Sequence, residues 1–169
     1  MKTNRILRLN VGFLLKEGVG YSREFEFDAP MTQVADDLEV AHLRGRVRLT
    51  RTPQGLYANG RIIGAVPAEC DRCLDEFSQL LTASIAELFL YPPENAKPGE
   101  STVGDDAFVD LSPLVREDMI LSMPMQTLCR ADCKGLCPTC GTNRNAGDCA
   151  CGEEEIDPRL AALGMLLKE

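Results

Sequence analysis

The sequence has few aromatic residues and no excess of basic ones. Its 169 residues include no tryptophan, six phenylalanines and three tyrosines, so the core must consist mainly of Val, Ile, Leu and Ala. Lysine and arginine total 18 against 26 aspartates and glutamates, which gives a net charge of −8. Proteins that bind nucleic acid over much of their surface are usually basic. The composition therefore excludes that mode of binding.

Long apolar runs and export signals are also missing from the sequence. The apolar run near the N-terminus stops at Lys16 and Glu17, no small-residue cleavage site follows it, and no apolar stretch reaches 18 residues. We therefore expect a cytoplasmic protein that does not enter a membrane. In a reducing compartment, paired cysteines indicate metal ligands or redox thiols more than structural disulfides.

The pattern of apolar and polar residues predicts an α+β fold that begins with an antiparallel β-sheet domain. Strands are indicated by alternating or β-branched stretches over 6–11, around Phe25 and Phe27, and over 40–49, 56–66 and 80–91. The predicted sheet domain spans residues 1–91 and includes a Cys-x-x-Cys knuckle. Residues 92–107 are acidic and rich in proline and glycine, and they are expected to form a linker.

The last part of the chain, residues 108–169, is predicted to contain two helices and a cysteine-rich zinc segment. Ser112 as the N-cap and Pro113 after it are typical of a helix start, and a helix of about ten residues is expected before Pro124. Asp157-Pro158 repeats that pattern and predicts a C-terminal helix. We expect this helical, cysteine-rich segment to pack on the sheet domain.

Eight cysteines fall into four close pairs, which is more regular than packing alone requires. The pairs are Cys70 and Cys73, Cys129 and Cys133, Cys137 and Cys140, and Cys149 and Cys151. A Cys-x-x-Cys turn supplies half of a tetrahedral zinc site. The sequence therefore predicts one or two structural Zn²⁺ ions. A catalytic zinc is disfavoured because a site of four thiolates has no open position and His42 is the only histidine.

The spacing of the cysteines leaves two partitions open. In the first, Cys137, Cys140, Cys149 and Cys151 form one site, which needs a bend at Cys149-Ala-Cys151, and the other four cysteines form a second site that ties the sheet to the C-terminal segment. In the second, Cys133 joins Cys137, Cys140 and one of the last two cysteines. That partition leaves Cys70 and Cys73 as a reactive dithiol, which would suit a thiol- or zinc-responsive regulator.

Two cysteine motifs resemble those of the YceD family. The first is Cys70-Asp-Arg-Cys73-Leu74 followed by Phe77, and the second is Cys129-Arg-Ala-Asp-Cys133-Lys-Gly-Leu-Cys137-Pro-Thr-Cys140-Gly-Thr-Asn143-Arg-Asn145. The resemblance covers nearly the whole length and implies a bacterial protein that supports accumulation of 23S ribosomal RNA and assembly of the large ribosomal subunit. Some members of the family keep the first motif and lack the second, which favours a separate site for Cys70 and Cys73. Members commonly have Asn-Leu-Asn where this chain has Asn143-Arg144-Asn145.

We expect a non-enzymatic binding module with no small-molecule substrate, because the sequence shows no nucleophile beside a base and no glycine-rich phosphate loop. Its partner is expected to be ribosomal RNA, a basic ribosomal protein, or both. Residues 92–118 contain two basic and seven acidic side chains and would suit a basic protein. The candidate RNA contacts are arginines that alternate with apolar residues on one strand, or follow it: Arg44, Arg46, Arg48 and Arg51.

Overall fold

Residues 5–151 are described by the computed structural model, and a four-stranded antiparallel sheet forms most of this part. Its strands lie side by side in chain order: β2 (Ser22–Ala35), β3 (Leu38–Thr52), β4 (Gly55–Glu69) and β5 (Glu76–Leu90). A smaller antiparallel sheet pairs β1 (Arg8–Asn10) with β6 (Phe108–Asp110). The predicted antiparallel sheet is confirmed.

One helix, α1 (Ser112–Leu121), follows β6 and has the ten residues expected from the sequence. Its N-cap is Leu111, not Ser112 as predicted from the sequence. The reason is that the Asp110 carboxylate accepts the N–H of Ser112 at 2.9 Å, so the capping oxygen comes from two residues upstream. A carboxylate at this end also interacts favourably with the helix dipole.

Helix α1 contacts both edge strands of the four-stranded sheet, β5 and β2. Asp118 Oδ2 accepts the N–H of Ser84 on β5 at 2.7 Å. Arg116 forms an ion pair with Asp37 in the turn between β2 and β3, and this guanidinium holds the pKa of Asp37 below its usual value. The helix therefore joins the two edges of a curled sheet and covers its inner face.

The core lies between the inner face of the sheet and α1. Alternate residues of the strands point inward, as the period-two patterns predicted. The fully buried side chains include Leu43, Val47, Leu49, Leu56, Ile62, Val115 and Met119. Burial of each large aliphatic side chain contributes roughly 1.5–3 kcal/mol, so aliphatic residues supply most of the core, and Phe27 and Phe89 are its buried aromatic members.

A bulge at His42 interrupts β3. His42 has a φ of +51°, and the register with β4 shifts between Ala41 and Arg44. As a result Val40 and Leu43 are both fully buried although they are three residues apart. The alternation expected over 40–49 is therefore interrupted at the bulge and resumes from Leu43.

The predicted division into 1–91, 92–107 and 108–169 stays a prediction. Contacts cross the predicted boundaries: β1 of the first segment pairs with β6 of the third, and Leu90 of the first forms a bridge with Thr102 of the second. Val103, also in the second segment, is fully buried. Within 108–151 the helical part is α1 alone, and the cysteine-rich stretch consists of turns and a single bridge between Leu136 and Asn143. The helix predicted from Asp157-Pro158 lies outside the described residues.

Across residues 5–151, no helix has the length and apolar content that crossing a membrane requires.

Candidate metal centres

The first cysteine pair lies at the tip of the hairpin formed by β4 and β5. The N–H of Cys70 donates to Asp75 O at 3.0 Å, and the N–H of Leu74 donates to Cys70 O at 2.9 Å. Leu74 has a φ of +60°, which closes the turn. This tight turn directs the Cys70 and Cys73 sulfurs to the same side.

The segment after α1 returns to this hairpin tip through Thr127. Its hydroxyl donates to Glu69 O at 2.8 Å, and its N–H donates to Asp71 Oδ2 at 2.6 Å. The N–H of Asp71 donates in turn to Thr127 O at 2.9 Å. These bonds place Cys129 and Cys133 beside the knuckle, where Arg72 Nη1 also donates to Cys133 O at 3.1 Å.

Four sulfurs meet there and form cluster A: Cys70, Cys73, Cys129 and Cys133. All lie within 4.8 Å of one another. The Cys70 and Cys133 sulfurs are 3.8 Å apart, and the Cys73 and Cys129 sulfurs are 3.6 Å apart. A tetrahedral zinc with Zn–S bonds of about 2.3 Å requires sulfurs about 3.8 Å apart. Cluster A therefore has the size of a Cys₄ zinc site.

The remaining four cysteines form cluster B: Cys137, Cys140, Cys149 and Cys151. Their sulfurs also lie within 4.8 Å of one another. The second knuckle is closed by the N–H of Gly141, which donates to Cys137 O at 2.9 Å. The chain bends at Ala150, as the Cys-x-Cys spacing requires. The grouping of the eight sulfurs is thus the first of the two partitions considered from the sequence, and Cys133 lies with Cys70.

The clusters differ in burial. Cys70, Cys73 and Cys133 are at most 3% exposed, whereas Cys140 of cluster B is exposed and Cys149 and Cys151 are half-buried. The roles of these thiols as metal ligands stay a prediction.

The electrostatics of each cluster also favour a cation. The backbone N–H of Cys129, with those of Cys73 and Arg72, lowers the pKa of Cys70 to about 6. The N–H groups of Cys140 and Thr139 lower the pKa of Cys137 to about 6. The Cys140 sulfur and burial raise the pKa of Cys151 to about 12. Four thiolates this close repel one another unless a divalent ion lies between them, and a bound metal deprotonates its thiols.

Sequence reasoning missed two asparagines and an aspartate as neighbours of the clusters. Asn145 Nδ2 donates to Cys133 Sγ at 3.3 Å, and Asn143 Nδ2 donates to Asp75 Oδ2 at 2.8 Å. These three residues, with Cys129 and Arg130, line a cleft of about 420 Å³ beside cluster A. The motif Asn143-Arg144-Asn145 was the only indication in the sequence, and spacing alone does not reveal which sulfur an amide faces.

The predicted arginine face lies on the outer side of β3, opposite an acidic row on β2. Three cross-strand ion pairs join the two rows: Arg44 with Asp28 at 3.2 Å, Arg46 with Glu26 at 3.1 Å, and Arg48 with Glu24 at 3.4 Å. All six side chains remain substantially exposed. Their charges compensate one another, which weakens the field that the three arginines present to a phosphate backbone.

Arg51 does not join the row of Arg44, Arg46 and Arg48, because its side chain faces the turn between β3 and β4. Its Nη1 donates to Thr52 O at 2.6 Å and to Gly55 O at 2.9 Å, so it holds the turn between β3 and β4. The structure brings Arg44, Arg46 and Arg48 together and leaves Arg51 outside the row. Nucleic-acid binding by these four residues stays a prediction.

A family model described as "Large ribosomal RNA subunit accumulation protein YceD" matches residues 58–167, which include both cysteine clusters. The chain belongs to the YceD family. The resemblance inferred from the cysteine motifs is confirmed. The family's description names accumulation of a ribosomal RNA and no enzymatic reaction.

Similar proteins occur in bacteria and plants. An uncharacterised protein of Mycobacterium tuberculosis is 32% identical over 127 residues, which are 72% of this chain and 60% of that protein. Uncharacterised protein YlbN of Bacillus subtilis is 26% identical over 87% of this chain and 90% of its own length. Large ribosomal RNA subunit accumulation protein YCED homolog 1, chloroplastic, of Arabidopsis thaliana is 36% identical over 36% of this chain and 19% of its length. This chain thus spans about three fifths of the mycobacterial relative. No solved structure matches this chain.

Proposed function

We propose that the chain is a non-enzymatic factor that supports accumulation of 23S ribosomal RNA during assembly of the large ribosomal subunit. The observation that supports this function is the family match over residues 58–167. We expect deletion of its gene to lower the ratio of 23S to 16S ribosomal RNA and to reduce free large subunits in a sucrose gradient. An unchanged ratio in the deletion strain would contradict the proposal, and restoration by the wild-type gene is its control.

Two structural Zn²⁺ ions would occupy clusters A and B. Sets of four thiolates suit zinc, and the sulfur spacing of cluster A matches tetrahedral Zn–S geometry. Four sulfurs fill the coordination shell, so each ion would stabilise the fold and leave no position for a substrate. The zinc at cluster A would join the β4–β5 hairpin tip to the segment after α1, residues 56 or more positions apart in the chain.

The partner that the charges favour is a basic ribosomal protein in the cytoplasm. The metal-free chain has a net charge of −8, and each Zn(Cys)₄ centre adds a formal −2, so the loaded chain reaches about −12. The three aligned arginines are each paired with a carboxylate. Electrostatic attraction therefore favours a positively charged protein surface over a phosphate backbone.

Two triple variants with the same change in charge distinguish the two classes of partner. The first replaces three exposed acids within residues 92–118: Glu94→Gln, Asp105→Asn and Glu117→Gln. The second replaces the acidic row of β2: Glu24→Gln, Glu26→Gln and Asp28→Asn. We expect the first to weaken binding to basic ribosomal proteins about 10-fold at low salt, since three exposed charges at ~0.5 kcal/mol each give that factor.

The second variant tests the arginine row directly, because it removes the carboxylates that compensate Arg44, Arg46 and Arg48. If ribosomal RNA binds this row, the second variant should bind 23S fragments more tightly than wild type, with a steeper salt dependence. That result, together with unchanged binding of the first variant to basic ribosomal proteins, would contradict a basic protein as the partner. Fluorescence anisotropy at several salt concentrations measures both interactions.

A thiol- or zinc-responsive regulator that uses Cys70 and Cys73 is the second candidate function. Both thiols are buried and lie among the four sulfurs of cluster A, which limits access by an oxidant. Metal stoichiometry separates the two functions. Two zinc ions per chain leave no free thiol, and a single ion at cluster B leaves the dithiol available.

A further inference from the structure

We propose that Asn145 couples the two clusters, so that metal binding at cluster B strengthens metal binding at cluster A, and the reverse. The inference rests on the proposed metal centres. Asn145 belongs to the loop between Cys140 and Cys149, which a metal at cluster B would close. Its side-chain amide, however, donates from Nδ2 to the Cys133 sulfur of cluster A at 3.3 Å. A residue positioned by one cluster thus contacts a ligand of the other.

The orientation of the Asn145 amide is fixed from both sides. Its Oδ1 accepts the N–H of Lys134 at 2.9 Å, which determines that Nδ2 faces the sulfur. Its Nδ2 and its backbone N–H both donate to Asn143 Oδ1 at 2.9 Å. Asn143 Nδ2 donates in turn to Asp75 Oδ2 at 2.8 Å, just beyond the first knuckle. The cluster B loop is therefore hydrogen-bonded both to a cluster A sulfur and to the hairpin that holds cluster A.

The linker between the clusters leaves little room for independent movement. Only Lys134, Gly135 and Leu136 separate Cys133 from Cys137. The N–H of Leu136 donates to Arg72 O at 2.9 Å, and the N–H of Arg144 donates to Gly135 O at 2.9 Å. Gly135 has a φ of +72°, and a Cβ there would lie 3.0 Å from Arg72 O. The linker is thus held between the first knuckle and the cluster B loop.

An N–H donor to a ligating sulfur stabilises the thiolate and fixes its direction. Removal of such a group typically lowers metal affinity about 10–100-fold. Because coupling between two binding sites is reciprocal, whatever cluster B adds to cluster A, cluster A must add to cluster B. Asn145 is therefore a positioning residue for cluster A whose own position depends on metal at cluster B.

A double-mutant cycle tests the coupling. Zinc affinity of cluster A is measured by competition with a chromophoric chelator in wild type, Asn145→Ala, Cys140→Ser and the double variant. We expect each single change to lower the affinity of cluster A by about 10–100-fold and the double variant to lose no more than the larger single effect. Asn145→Asp, which keeps the side-chain size but lacks the N–H donor, should lose at least as much as Asn145→Ala. Asn95→Ala, an exposed change at the end of a short 3-10 helix (Pro93–Asn95) and far in sequence from both clusters, is the control and should leave the affinity unchanged.

Three results would overturn the inference. They are effects that multiply in the double variant, an Asn145→Ala chain with wild-type affinity at cluster A, and an Asn145→Asp chain with wild-type affinity. In all three cases zinc still binds, so the proposed metal centres would stand. A wild-type chain that binds no zinc would overturn the metal centres together with the coupling.

Discussion

Protein purified under reducing, chelator-free conditions is expected to contain two zinc ions per chain, and removal of both should destabilise residues 127–151 more than the sheet. The reason is that the described part of this segment has no helix and only one bridge, so the sulfur clusters are its main cross-links. Metal binding to such sites is itself folding free energy, with apparent values of about 10–16 kcal/mol for zinc-finger peptides. Metal analysis and hydrogen exchange before and after chelation measure the two effects.

Single ligand substitutions should separate the two centres. Cys137→Ser is expected to lose the cluster B ion and to lower the melting temperature only slightly, because cluster B is partly exposed and joins only residues 137–151. Cys70→Ser should lose the cluster A ion and lower the melting temperature by roughly 10 °C or more, since each kcal/mol corresponds to about 2–4 °C in a chain of this size. Purified wild-type protein without zinc, or equal loss of stability in both variants, would contradict this prediction.

The second large effect is expected at Gly60, where β3 and β4 approach closely. A Cβ at this position would lie 2.1 Å from Arg46 O and 2.6 Å from the Val47 Cα, and both are backbone atoms that cannot rotate away. Gly60→Ala should therefore lower the free energy of unfolding by about 3 kcal/mol or more, at the upper end of the usual cost of overpacking. Urea denaturation of the zinc-loaded protein measures the difference.

Gly18→Ala is the matched control, because a Cβ there meets no atom within 4 Å. It should change the free energy of unfolding by less than ~0.5 kcal/mol. Gly45→Ala, on the opposite strand, should repeat the effect of Gly60→Ala, since its Cβ would lie 2.3 Å from Arg61 O. A Gly60→Ala protein with wild-type stability would show that β3 and β4 separate more easily than the structure indicates.

Local features of the fold were predictable because they depend on neighbouring residues. The period-two patterns gave the strands, and the length of α1 followed from Ser112-Pro113 and Pro124. The Cys137 and Cys140 pair lies near Cys149 and Cys151 in the chain, so the sequence could propose their grouping. The bulge at His42 escaped prediction because a positive φ in a strand depends on how the neighbouring strand is aligned.

The sequence by itself determined the antiparallel strands, the helix and the presence of cysteines in four pairs, because each is set by residues a few positions apart. Only the tertiary structure decided that Cys133 lies with Cys70 and not with Cys137, since the hairpin tip and the segment after α1 meet through hydrogen bonds at Thr127. It also decided that the arginines of β3 face the acids of β2. Sequence spacing cannot supply that result, because which charges compensate each other depends on the register between strands, and here the paired residues are 16 to 24 positions apart.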